Sequence, residues 1–282
     1  MVADVCLLGV TFIWGSTFVV VKTALESSST LLFLALRFSL ASAALALVFR
    51  RRLSAETDRS TAVRMGIAVG VFLFLGYLFQ TLGLRLTTAS KSAFITGLAV
   101  VLVPVFSAAL YRAWPSWNCW VGVASATAGL YLLAGPAGLA HFSSGDLLTL
   151  ACAASFGFHI LLLGHYSRRA GVAALSLTQV CVAAALSLAS FWWAEPIHLQ
   201  WTTPLILAVV TTGLLATALA FSVQTWAQQF TSPTHTALIF SLEPVFAWVT
   251  SYLVLGETLG ARGAWGAVLI LAGIILAEVK PG

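Results

Sequence analysis

Residues 30–49 read TLLFLALRFSLASAALALVF, twenty positions with a single charge, Arg37. A helix rises about 1.5 Å per residue, so this run spans the roughly 30 Å of a bilayer's hydrocarbon core. A second run of the same length, residues 204–223 (PLILAVVTTGLLATALAFSV), carries no charge. Working outward from these two, the 282 residues are 60% hydrophobic and only 8% charged, with a mean hydropathy of +0.99. A soluble domain carries roughly a quarter of its residues as charges. The expected fold is therefore an all-α integral membrane protein of ten transmembrane helices. They are placed near 3–23, 30–50, 63–84, 91–111, 118–135, 147–166, 173–193, 204–226, 234–254 and 261–279.

The first run carries Asp4 where a secretory leader carries basic residues, and no clear cleavage site follows it. It is read as a retained helix. Cys6, Cys119, Cys152 and Cys181 lack metal-ligand spacing and are read as small packed hydrophobes. No cofactor is expected. In a soluble protein a pI of 9.3 would point to nucleic acid. Here the arginines gather in short loops, so membrane orientation explains them and no nucleic-acid partner is expected. With the amino terminus inside, the inner face receives Arg50, Arg51, Arg52, Arg59, Arg64, Arg112, Arg168, Arg169 and Lys280. The outer face receives Lys22, Arg85, Lys91 and Arg262. This bias predicts a cytoplasmic (inner) membrane protein with both termini in the cytoplasm. Trp114, Trp117 and Trp120 are expected at the inner interface, and Trp192, Trp193 and Trp201 at the outer one.

The chain also resembles itself. An offset of 142 sets Asp4 on Asp146, Trp14 on Phe156 and Arg37 on Gln179. An offset of 144 sets Gln80-Thr81 on Gln224-Thr225, Gly122 on Gly266 and Ala128-Gly129 on Ala272-Gly273. Pro104-Val105-Phe106 meets Pro244-Val245-Phe246 at an offset of 140, a slip of about one helical turn. Two similar halves of five helices each must cross the membrane in opposite directions. The expectation is a pair of inverted five-helix repeats, 1–140 and 141–282, as alternating-access carriers use.

Several segments resemble the drug/metabolite transporter superfamily, and within it the EamA-type ten-helix members. They are Trp14-Gly15-Ser16-Thr17-Phe18, Leu36-Arg37-Phe38 and Thr88 through Phe94 in the first half. In the second half they are Leu242-Glu243-Pro244-Val245-Phe246, Leu255-Gly256-Glu257-Thr258 and Gly266 through Gly273. The resemblance covers essentially the whole chain and implies transport, often export and often driven by protons or exchange. One departure stands out. Where relatives often carry a second Gly-Glu after helix 4, this chain reads Tyr111-Arg112-Ala113-Trp114.

Polar groups inside the spans mark the candidate site, because a charge at mid-bilayer costs about 2.5–3.5 kcal/mol on insertion scales. Glu243 is the only acidic residue near the middle of a span, with His235 eight positions earlier and expected on the same face. Pro244 beside it removes a backbone donor and can kink the helix. Glu243, His235 and Arg37 are read as proton-coupling groups or as structural anchors. Arg37 either snorkels to the interface or pairs within the bundle. Trp14, Phe18, Tyr77, Gln80, Lys91, His159, Phe221 and Gln224 are read as substrate-binding, with interhelical packing as the alternative. Gly122, Ala126, Gly129, Gly263, Ala267 and Gly273 read as close-packing surfaces. There is no phosphate loop, metal pair, nucleophile turn or catalytic triad.

The sequence reading is thus a secondary transporter, not an enzyme. Its expected substrate is a small polar or amphipathic metabolite, an amino acid or related compound, moved outward with the proton as candidate coupling ion. The rivals are a polytopic membrane enzyme acting on a lipid-like substrate, and a non-transporting scaffold or channel. The oligomeric state is not legible.

Overall fold

The computed structural model describes residues 1–55, 59–87, 89–112, 114–134, 143–255 and 260–278. Side chains are described for all of these except 54, 55, 59, 89–91, 133, 134, 251, 253–255 and 278. Its helices are α1 (Val2–Ala24), α2 (Thr30–Ala55), α3 (Arg59–Leu86), α4 (Ala89–Gly97), α5 (Ala99–Tyr111), α6 (Trp117–Ala134) and α7 (Ser144–Tyr166). They continue as α8 (Val172–Ser190), α9 (Thr203–Gly213), α10 (Ala220–Ala227), α11 (Pro233–Phe240), α12 (Glu243–Leu255) and α13 (Ala261–Glu278). A π-helix, Leu214–Leu219, joins α9 to α10. The β pairing among the described residues is one isolated bridge, Ser28 to Leu199.

Among the described residues, seven continuous stretches are long and apolar enough to cross a bilayer: Val2–Ala24, Thr30–Leu53, Ser60–Leu86, Ser92–Tyr111, Ser144–Tyr166, Val172–Ser190 and Thr203–Ala227. Ala261–Ala277 is a shorter apolar helix. The chain is a helical multi-pass membrane protein. Large apolar side chains such as Leu47, Val48, Leu207 and Ile275 point outward, as lipid-facing positions require. Trp114, Trp117, Trp192, Trp193 and Trp201 are exposed at helix ends or in the adjoining loops. Among the cysteines, Cys152 is buried and Cys6 and Cys119 are half-buried. Cys181 is exposed, so the packed reading does not hold for it.

Helix starts follow local chemistry. Ser143 caps α7 by accepting from the Asp146 amide, while the Asp146 carboxylate accepts from the Ser143 amide at 2.7 Å. Ser232 caps α11, with Pro233 where a missing N–H costs nothing. The start of α2 is capped from a distance, the Glu195 carboxylate accepting from the amides of Thr30 and Leu31.

Two helices expected to be continuous are broken. The 91–111 helix breaks at Leu98, whose amide bonds three residues back to Ile95 at 3.1 Å. Pro104 lies inside α5, six residues past the break, and Gly97, a weak helix former, directly precedes it. The 234–254 helix breaks at Ser241–Leu242, where the Ser241 amide is shared between the carbonyls of Ala237 and Leu238. Glu243 thus becomes the first residue of α12, and Pro244 sits where it removes no helical bond.

A core of α1, α2, α3, α8 and the α9–α10 stretch is built on Phe33, Phe38, Leu73 and Phe221. A second core joins α4, α5, α6, α11 and α13 through Val100, Leu130, Leu238 and Ile270. Lipid offers no hydrophobic drive between helices, so close approach of small residues matters. Along α6 and α13 a methyl placed on Gly122 would lie 2.5 Å from the Gly273 carbonyl. One on Gly129 would lie 2.5 Å from the Gly266 carbonyl. The two helices therefore run antiparallel with backbones in contact, and Ser125 Oγ donates to the Leu269 carbonyl at 2.8 Å.

Candidate functional site

The inner face of α1 presents Trp14, Thr17, Phe18 and Val21, successive positions on one helical stripe. The C-terminal half of α3 presents Tyr77, Gln80, Thr81 and Leu84 by the same spacing. With Phe156, His159 and Ile160 of α7 and Phe221 and Gln224 of α10, these line one cavity of about 830 Å³ that includes its opening to solvent. The broken helices complete the wall. Thr96 and Gly97 enter just before one break, and Phe240, Ser241 and Glu243 flank the other.

Arg37 reaches the cavity from α2 and is buried within the bundle, so it does not snorkel. Its Nε donates to Thr217 Oγ1 at 2.7 Å, and its Nη2 to the Tyr77 hydroxyl at 3.0 Å and the Ala216 carbonyl at 3.4 Å. The guanidinium carbon lies 4.2 Å from the centre of the Tyr77 ring. Trp14 Nε1 donates to the same Ala216 carbonyl at 2.8 Å. Both donors therefore fasten on the π-helix, where the Thr217 hydroxyl bonds back five residues to Thr212. Such π segments free backbone carbonyls and occur often at functional sites.

The rings form a continuous lining. Trp14 lies 5.2 Å from Phe221 and 4.9 Å from Phe240, and Tyr77 lies 5.2 Å from Phe156. Gly15 lets α1 reach α12, since a methyl there would sit 2.5 Å from the Glu243 carbonyl. His159 Nε2 is 2.8 Å from Gln179 Oε1, and Gln179 Nε2 donates to Thr225 Oγ1 at 3.0 Å.

Of the residues singled out from sequence, Trp14, Phe18, Arg37, Tyr77, Gln80, His159, Phe221, Gln224 and Glu243 come together at this cavity. His235 does not. The break at Ser241–Leu242 ends the shared face expected with Glu243, and His235 Nε2 instead lies 3.3 Å from Asp4 Oδ1. The side chain of Lys91 lies outside the described residues. Thr17, Thr96, Phe156, Phe240 and Ser241 line the cavity without having been singled out. Phe156 carried a signal, being the offset mate of Trp14. Phe240 and Ser241 became wall residues through the break just ahead of Pro244, whose missing N–H frees the Phe240 carbonyl.

The cavity is lopsided. Val21, Thr81 and Leu84 line it, whereas Leu163, Thr225 and Gln228, at the matching offsets, are fully packed. The opposite end is closed by Gln228 Nε2 donating to the Ile160 carbonyl at 3.0 Å, by Gln229 on Ser167 and by Arg168 on Thr231.

Comparison with known proteins adds four findings. The family model described as the EamA-like transporter family matches residues 1–135 and 143–278. A protein of Archaeoglobus fulgidus named "Uncharacterized transporter" is 38% identical over 278 residues, covering 99% of this chain and 86% of that protein. "Uncharacterized transporter YoaV" of Bacillus subtilis is 23% identical, covering 96% of this chain and 94% of its own length. A solved crystal structure shares the fold with a TM-score of 0.80 at 19% identity, across 99% of this chain and 98% of the other.

Proposed function

The chain belongs to the EamA-like transporter family, and on that premise we propose that it is a secondary transporter working by alternating access between two inverted five-helix repeats. It moves a small polar or amphipathic metabolite, an amino acid or related compound, outward across the cytoplasmic membrane. The observation that carries the reading is the cavity itself, walled by aromatic and polar side chains drawn from both halves. A scaffold has no use for such a space, and a lipid-processing enzyme would gather acidic, histidine or serine groups at one interface.

The repeats are supported by the family model's two consecutive matches. They are supported as well by the α6–α13 contact, where Ser125 bonds Leu269, its own mate at an offset of 144. Residues that touch their own mates lie on a two-fold axis. The exchange extends further: α1 packs on the α9–α10 stretch and α12, while α7 packs on α3 and on α4 and α5. With both termini cytoplasmic, as the basic loops favour, the cavity reaches further toward the outer face. Single cysteines placed near Arg59 and Arg168 are then shielded from an impermeant thiol reagent in intact cells. Labelling of both without lysis would overturn that orientation.

Glu243 is proposed as the coupling carboxylate. One charge crossing 100 mV is worth about 2.3 kcal/mol, which sustains roughly a fifty-fold gradient at one proton per substrate. The test is uptake into proteoliposomes under an imposed pH gradient. The expected outcome is that Glu243→Gln abolishes proton-driven accumulation while counterflow exchange persists. A folded variant that retains full proton-driven accumulation makes Glu243 a structural residue.

A further inference from the structure

The polar groups around the cavity are not equally spent. Arg37 donates to three acceptors through Nε and Nη2 and stacks on Tyr77, which leaves its Nη1 N–H groups as its remaining donors. His159 and Gln179 satisfy one another. Gln224 is different. Gln228 Nε2 donates to the Ile160 carbonyl, so Gln228 offers its oxygen to Gln224, and Gln224 must answer with its own Nε2. That fixes the amide's orientation and leaves Gln224 Oε1 fully buried with no partner among the described residues. The Glu243 carboxylate likewise has no hydrogen-bond or ion-pair partner among the described residues. An unmet buried acceptor is costly, and an ionised carboxylate within a membrane more so.

Both unmet groups accept, and the rings between them attract cations. Trp14 touches Phe221, one turn before Gln224, and Phe240, three residues before Glu243. An ammonium group supplies the positive charge for Glu243 and the π faces, and an N–H for Gln224 Oε1. A carboxylate or phosphate supplies neither. Beyond this corner the wall is Phe18, Val21, Leu84, Phe156 and Ile160, which suits an apolar body.

Building on the transporter reading, we propose that the recognised group is an N–H-bearing ammonium on an apolar or aromatic body, seated between Gln224, Glu243 and the Trp14–Phe221–Phe240 rings. A carboxylate on the substrate is tolerated and not required. A quaternary ammonium keeps the charge but cannot donate to Gln224.

The test is calorimetric titration of the full chain in nanodiscs with 2-phenylethylamine, its N,N,N-trimethyl counterpart, phenylalanine and 3-phenylpropionate. The amine is expected to bind about tenfold more tightly than the quaternary compound, one hydrogen bond's worth. Phenylalanine should bind, and the acid should bind at least about a hundredfold more weakly than the amine, for want of the charge-assisted contacts. Gln224→Leu should erase the amine-over-quaternary preference and leave quaternary affinity within about twofold. The wild-type ligand series decides the matter even if that variant does not fold. Acid binding as tight as amine binding overturns the proposal. So does failure of every ammonium probe to bind while proteoliposomes still exchange some other solute. If no solute in a broad panel is exchanged, the transporter reading itself fails.

Discussion

Arg37 and Gln179 are matched by the sequence offset of 142, yet they do opposite things. Arg37 brings a permanent charge to the cavity wall and ties α2 to Tyr77 of α3 and to the π-helix. Gln179 lies off the cavity, fully buried, in a neutral chain from His159 to Thr225. Each donates to a threonine of the α9–α10 stretch, Thr217 for one and Thr225 for the other. One corner is arranged around a charge at the edge of open space, the other around a closed set of neutral partners. Under the proposed repeat an architecture recurs while its chemistry does not, and the working asymmetry sits in a few side chains at offset-matched positions.

The strongest way to break this comparison is to charge the neutral corner. Gln179→Arg places a guanidinium where the described neighbours offer no carboxylate, and an uncompensated buried charge costs about 3–5 kcal/mol. Thermal unfolding in detergent should show it as a large loss of stability or of monodisperse protein. Wild-type stability would mean that the two corners are interchangeable. A smaller loss follows from His159→Leu, which strands the Gln179 oxygen and costs about 1–3 kcal/mol by the same measurement. The finest distinction comes from a double-mutant cycle. Arg37→Gln and Thr217→Val should couple by about 1 kcal/mol, whereas Gln179→Leu and Thr217→Val, with no shared contact, should add within about 0.5 kcal/mol. Equal couplings would erase the difference between the corners.

Much of this was legible because its signals are one-dimensional. Apolar runs such as 30–49 mark spans by length alone, and the offsets of 142 and 144 brought Trp14, Arg37, Gln80 and Gln224 forward before any contact was known. Most interruptions were not legible. Leu214–Leu219 reads LLATAL, as apolar as its surroundings, and its π geometry is fastened by Trp14 and Arg37, which lie some two hundred and one hundred and eighty positions earlier. The break at Ser241–Leu242 was half announced, since Pro244 frees the Phe240 carbonyl and can kink the helix in the turn before it, whereas the break at Leu98 was not marked in advance. His235 shows the cost, because an eight-residue spacing predicts a shared face only while the helix stays whole.

The glycine contact between α6 and α13 has a consequence of another kind. Under the proposed two-fold relation, the operation that carries one half onto the other carries the Gly122–Gly273 approach onto the Gly266–Gly129 approach. A contact mapped onto itself by that exchange has the same energy whichever face of the membrane is open. It has no preferred side, and so it can hold the halves together throughout a cycle without biasing the cycle's direction. Direction must then come from positions where the mates differ, such as Arg37 against Gln179.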